Sequence, residues 1–148
     1  MSELLGHALT SNLFDLLAKR AVTVVVATID DDGWPHAAPY NQVFAVDPRH
    51  LRLAVNRQDE TFRSLSGYGL AMIEVLEEGD IAAAIKGRAR IVREQMDANC
   101  NLAVIEIEID DVKKDNSLHY LVTQGVRVRH REESVLLYQK QVMTELRF

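Results

Sequence analysis

Short runs rich in β-branched residues, each closed by a turn signal, fill the chain from Val22 to Val92. This stretch reads as one uninterrupted β-meander. Val22 to Ile29 is a first strand, and Asp30-Asp31-Asp32-Gly33 carries the Asp-Gly signature of a hairpin turn. His36 to Val46 is the return strand, and Leu51 to Val55 follows the turn Asp47-Pro48-Arg49-His50. Thr61 to Leu65 reads as a short helix. Gly69 to Leu76 and Ile81 to Val92 are the fourth and fifth strands, joined by Glu77-Glu78-Gly79-Asp80.

Before this meander, Leu9, Leu13, Leu16 and Leu17 recur at helical spacing, which predicts a helix over Ser2 to Arg20 with Ser2 as its cap. In the fifth strand Lys86, Arg88 and Arg90 share one face and Ile85, Gly87, Ala89 and Ile91 the other. Next, Ile105, Ile107 and Ile109 alternate with Glu106, Glu108 and Asp110. The opposite charges predict cross-strand pairing if these strands are neighbours. A last strand is expected near His119 to Val128. A C-terminal helix is expected from Val135, Tyr138, Val142 and Leu146. Consecutive antiparallel strands tend to close, because closure removes exposed edges. The expectation is a mainly β (α+β) fold: an antiparallel split β-barrel of six to seven strands with an N-terminal helix, a short inserted helix and a C-terminal helix. It forms one domain over residues 1–148.

Composition narrows the function classes. The 148 residues are 47% hydrophobic and 26% charged, ordinary for a globular protein, and the net charge is −5. An acidic chain is a poor partner for nucleic acid, where many cations must meet phosphates. No apolar run approaches the roughly 18 residues of a membrane span, and the N-terminus lacks a signal-peptide pattern. A cytoplasmic location is expected. Cys100 is the single cysteine, which excludes an internal disulfide, and it reads as a structural thiol. The five histidines show no metal-ligand spacing, so no metal site is expected. No nucleophile–base pair stands out, and no catalytic residue is assigned.

The segment Asn56-Arg57-Gln58-Asp59-Glu60-Thr61-Phe62-Arg63 ends a strand and opens a helix. Backbone N–H groups at such a junction, with the helix dipole, favour an anion. Arg57 and Arg63 can bind phosphate, or they can be solvated partners of Asp59 and Glu60. Thr61 can donate to an anion or cap the helix. Tyr40 and Asn41 lie mid-strand, where one can face a ligand. Trp34 reads as a packing anchor in its turn. Arg127, Arg129 and Arg131 alternate, as a solvated edge or as contacts for an anion across a dimer interface.

The order and spacing of several pieces resemble the pyridoxamine 5′-phosphate oxidase-like FMN-binding split-barrel superfamily. The pieces are Val24-Val25-Val26-Ala27-Thr28-Ile29, then Asp32-Gly33-Trp34-Pro35-His36-Ala37-Ala38-Pro39, Leu51-Arg52-Leu53-Ala54-Val55-Asn56, Thr61-Phe62-Arg63-Ser64-Leu65 and Lys86-Gly87-Arg88-Ala89. The resemblance implies FMN at the interface of a homodimer and a redox reaction on a small-molecule substrate. It places the flavin ring along Ala38, Pro39, Tyr40 and Asn41. It places the ribityl chain and phosphate at Val55, Asn56 and Arg57 and at the helix start Asp59, Glu60 and Thr61, with Arg63 nearby. The apolar face of Ile85, Gly87, Ala89 and Ile91 is the expected contact between subunits. Where the oxidase branch has a basic pair in the phosphate turn, this chain has Glu60-Thr61. The alternatives are a non-catalytic flavin carrier or sensor, and a barrel that has lost its cofactor.

Overall fold

The computed structural model describes residues 2–148. It contains eight strands and three helices. In chain order they are β1 (Glu3–Gly6), α1 (Ser11–Lys19), β2 (Val24–Ile29), β3 (Pro35–Tyr40), β4 (Val43–Asp47), β5 (His50–Asn56), α2 (Glu60–Gly67), β6 (Leu70–Glu77), β7 (Ile81–Arg93), β8 (Leu102–Lys114) and α3 (Ser134–Leu146). One sheet holds them in the order β3-β2-β6-β7-β8-β5-β4, with β1 added on β8, and every pairing is antiparallel. The two ends of that order, β3 and β4, are joined through Asn41 and Gln42 alone. At about 3.3–3.6 Å per residue, so short a link forces the sheet to curl until its ends approach. The result is an antiparallel split barrel.

The expected return strand from His36 to Val46 is therefore two strands. β3 pairs with β2 (Val24↔Tyr40 to Ile29↔Pro35), whereas β4 pairs with β5 (Val43↔Leu53). The chain changes partners at Asn41-Gln42, where the Gln42 carbonyl accepts the Ala54 N–H at 3.1 Å.

The N-terminal helix is also shorter than expected. It is capped by Thr10, whose Oγ1 accepts the Leu13 N–H at 3.4 Å, and not by Ser2. The helical leucine pattern begins only at Leu9. Residues upstream of it pair as β1, with Leu4 opposite Lys113, and Gly6 at φ +132° turns the chain out of the strand.

No strand forms near His119 to Val128. That segment is irregular, and it hangs from two carboxylates at the β6–β7 turn. Glu77 accepts the Gly125 N–H at 3.1 Å and Arg127 at 2.8 Å, while Asp80 accepts the Val122 N–H at 2.9 Å. Side-chain acceptors thus take the backbone donors that a neighbouring strand would otherwise satisfy. Arg127 is spent in this pair, and is not a free member of an arginine row.

Inside the barrel, Val24, Val26, Leu51, Leu53, Ile73 and Ile105 are at most 1% exposed. Leu13, Leu16 and Leu17 of α1 and Leu65 of α2 join the same cluster. A second cluster lies where α3 sets Val142 and Leu146 against Ala54, Met96, Leu102 and Val104. The apolar face of β7 points into the first cluster. Ile85 is fully buried and Ala89 and Ile91 pack against it, so this face cannot be a contact between subunits. Gly87 sits there because β8 passes too close for a side chain. A Cβ would stand 2.6 Å from the Glu108 carbonyl oxygen.

β7 and β8 are neighbours, and their charges pair as the alternation predicts. Arg90 reaches Glu106 at 2.7 Å and Arg88 reaches Asp110 at 3.2 Å. Glu106 is buried, and it takes Arg52 at 3.0 Å as well. Burial opposes its ionisation, but hydrogen bonds from Arg90 and Arg52 outweigh this and hold the carboxyl below the usual range.

Candidate functional site

β5 ends at Asn56, whose Oδ1 accepts the Gln58 N–H at 2.9 Å while its carbonyl accepts the Asp59 N–H at 3.0 Å. This tight turn delivers the chain into α2 with Asp59 at the cap position. Thr61, a second candidate for the cap, lies inside the helix. Asp59 does not close the helix end with its side chain; its carboxylate accepts the Tyr40 hydroxyl at 3.2 Å instead. The first N–H groups of α2 therefore keep no side-chain acceptor, which leaves the helix start open to an anion.

Two polar atoms beside this opening are buried without a hydrogen-bond partner: Thr61 Oγ1 and Arg57 Nε. Thr61 is 1% exposed. Such orphans are uncommon, because each costs roughly 1–3 kcal/mol. The remainder of Arg57 is anchored. Its N–H donates to the Asn101 carbonyl at 2.9 Å, and its Nη2 donates to the Cys100 carbonyl at 2.8 Å. Cys100 itself is exposed, so its backbone and not its thiol is structural.

β3 lies beside the helix start. His36, Ala38 and Tyr40 alternate on its half-buried side, and Pro35, Ala37 and Pro39 on its exposed side. His36 Nδ1 stands 3.5 Å from Glu60 Oε2. Burial pushes the Tyr40 phenol up to about 12, with the Asp59 charge adding to it. The Thr61 hydroxyl pulls the other way, although it reaches no partner at full hydrogen-bonding geometry. Tyr40 stays protonated at neutral pH and can only donate to Asp59.

The structure thus gathers Tyr40, Asn56, Arg57 and Thr61 around one strand-to-helix junction. The remaining candidates stand apart from that group. Val55 is fully buried in the core, so it can offer only backbone. Ala38 lines the β3 face, whereas Pro39 points to its opposite side. Asn41 is tied to the C-terminal helix through its carbonyl, which accepts Gln139 Nε2 at 3.3 Å. Arg63 is exposed and has no ion-pair partner within 4.0 Å among the described residues. His36 joins the constellation beyond the expected set. The period-two parity of β3 could have found His36, since it shares a face with Tyr40.

The outer surface of β3, β2 and β6 carries an unusual amount of exposed apolar area. Val25, Ile29, Leu70, Met72 and Leu76 are each 37–44% exposed. They stand beside Pro35, Ala37 and Pro39 through the pairings Val25↔Pro39 and Ala27↔Ala37. A groove of about 380 Å³ runs through this face between Ala27, Ile29, Leu70, Met72, Lys86 and Arg88. Contiguous apolar patches of this kind mark interaction surfaces. Trp34 is 71% exposed at the tip of the β2–β3 turn, so its side chain is not the packing anchor expected there. Among the described residues no helix is long and apolar enough to cross a membrane.

Comparison with known proteins gives this geometry its context. The chain is 26% identical over 150 residues to the uncharacterised protein YclD of Bacillus subtilis, covering 95% of this chain and 97% of that protein. Its fold resembles a pyridoxamine 5′-phosphate oxidase candidate from Lactobacillus delbrueckii. That match has TM-score 0.65 and 21% identity, over 76% of this chain and 98% of the other. It also resembles an FMN-binding protein from Syntrophomonas wolfei, at TM-score 0.56 and 10% identity, over 67% and 80% of the two chains. The family model for pyridoxamine 5′-phosphate oxidase matches residues 10–116, from the cap of α1 to the end of β8, and the chain belongs to that family of split barrels.

Proposed function

We propose that the protein is a homodimeric FMN-binding oxidoreductase acting on a small molecule. The observation that carries this reading is the pair of buried, partnerless polar atoms, Thr61 Oγ1 and Arg57 Nε, beside the open N-terminus of α2. A phosphate monoester fits such a cradle. It accepts from several donors at once, and guanidinium–phosphate hydrogen bonds are among the strong ones. Arg57, Thr61 and the first amides of α2 would hold the phosphate. The β3 face of Ala38 and Tyr40 would lie along the ring. When bound, FMN supplies the electron-transfer chemistry, and the protein supplies binding, orientation and exclusion of water. The outer apolar face of β3, β2 and β6 is the contact proposed between the two subunits, in place of the buried face of β7.

A second reading, a flavin carrier or a barrel without cofactor, draws on Asp59 and Glu60. Their carboxylates stand at the same helix start and offset the charge of Arg57 and Arg63. Titration of the apo-protein with FMN, followed by flavin fluorescence, separates the readings. Binding well below 100 μM is expected. None at about 100 μM, roughly −5.5 kcal/mol, would leave the cofactor-free barrel. Arg57→Ala should weaken FMN roughly 10- to 150-fold, from the typical 1.5–3 kcal/mol of a charged hydrogen bond. Riboflavin, which lacks the phosphate, should scarcely change. Tight FMN with no turnover in the presence of NADH or NADPH would favour the carrier.

A further inference from the structure

The outer apolar face is interrupted by few charges, and two of them stand out. Glu74 of β6 projects between Val25 and Ala84, its neighbours across the strand, and is half-buried. Lys86 of β7 projects opposite Met72 on the same face, and is exposed. Neither has an ion-pair partner within 4.0 Å among the described residues, whereas Arg88 on the same face is engaged by Asp110 at 3.2 Å. Glu74 and Lys86 sit one pleat apart on adjacent strands. That is a diagonal relation of about 7–8 Å, which long side chains can span, yet the two form no ion pair within the chain.

Burial raises the Glu74 carboxyl, and the nearby Asp115 adds to it. A second subunit covering this face would desolvate Glu74 further. An uncompensated carboxylate at the centre of an interface is strongly destabilising. The same face supplies the remedy, because a two-fold contact is isologous. If residue i meets residue j of the partner, j meets i.

We propose that Glu74 and Lys86 form reciprocal ion pairs across a two-fold interface between two copies of this chain. The two pairs set the register in which the apolar faces of β2 and β6 meet. The apolar residues supply the area and the charges supply orientation, since a shifted register would leave four charges buried and unpaired. The proposal rests on the homodimer reading above and adds the residues that specify it.

Charge exchange tests it. Glu74→Lys and Lys86→Glu should each weaken self-association about 10- to 100-fold by sedimentation, because each sets like charges face to face. The double exchange Glu74→Lys with Lys86→Glu should restore association to near that of the unmodified protein. Circular dichroism melting establishes that each variant is folded. If a reversed variant fails to fold, Glu74→Gln, Lys86→Gln and their combination form a double-mutant cycle. A coupling near zero in that cycle overturns the pair. So does a dimer that either single exchange leaves unchanged, or one that the double exchange fails to restore. An unmodified protein that stays monomeric at about 100 μM removes the homodimer reading as well.

Discussion

The residue that best separates a ligand site from an ordinary strand end is Thr61. A buried hydroxyl without a partner costs stability, and replacing it with an apolar group of similar shape removes that cost. Thr61→Val is therefore expected to stabilise the apo-protein by roughly 1 kcal/mol while weakening FMN. Thermal melting and flavin titration read the two effects. A Thr61→Val variant less stable than the original would show that the hydroxyl is already satisfied. Sequence alone places Thr61 and Arg57 in the right turn, because the strand-to-helix signal is local. It cannot show that Thr61 Oγ1 and Arg57 Nε are partnerless, nor that Arg57 is held by the carbonyls of Cys100 and Asn101, which arrive from a distant part of the chain. Nor can it show that Val55, in the same turn signal, spends its side chain on the core.

Elements are legible where periodicity is long and uninterrupted, and least so where tertiary partners decide. β7 and β8 are each 13 residues and fall where the alternation puts them. The stretch after β8 contains Val126, Arg127, Val128 and Arg129, a strand-like pattern that forms no strand; Glu77 and Asp80 hold the segment instead, through the Gly125 and Val122 N–H groups and the Arg127 side chain. α3 depends on another such carboxylate. Glu145 takes Arg93 at 2.7 Å and the N–H of Ala98 at 3.0 Å, together with that of Asp97. Burial opposes its ionisation, but these hydrogen bonds outweigh it and hold the carboxyl below the usual range. A depressed carboxylate contributes fully above the unfolded value, about 4.3 for glutamate. The contribution is lost as pH falls through the lower folded value. Glu145→Gln should destabilise the protein by about 1–3 kcal/mol at pH 7. It should also remove the acid-induced loss of amide protection in α3. Glu77 and Glu106 are depressed in the same direction, so the whole-protein melting curve keeps an acid limb. Hydrogen exchange in α3 that stays pH-dependent in the variant would assign that loss to another group.

At the scale of the molecule, a split barrel follows from antiparallel strands joined by short turns. Which face of each strand turns inward does not. β2 reads Val-Val-Val-Ala-Thr-Ile and is apolar on both faces, so parity alone cannot orient it, whereas Lys86, Arg88 and Arg90 mark the outward face of β7. The inward face proves to be that of Ile85 and Gly87, which leaves Val25, Ile29, Leu70, Met72 and Leu76 outside. The exposed part of an apolar outer surface contributes little to the monomer, so a charge placed there should largely spare the fold and strike the assembly. Met72, 37% exposed beside the groove, is the site for that charge. Met72→Glu is expected to melt within a few degrees of the unmodified protein and to sediment as a monomer. If FMN lies between subunits, the same change should cost most of its binding, although Met72 lies on β6, away from the α2 junction. Monomers that still bind FMN with full affinity would place the whole cradle within one chain. Dimers that survive the change would move the subunit contact to another surface.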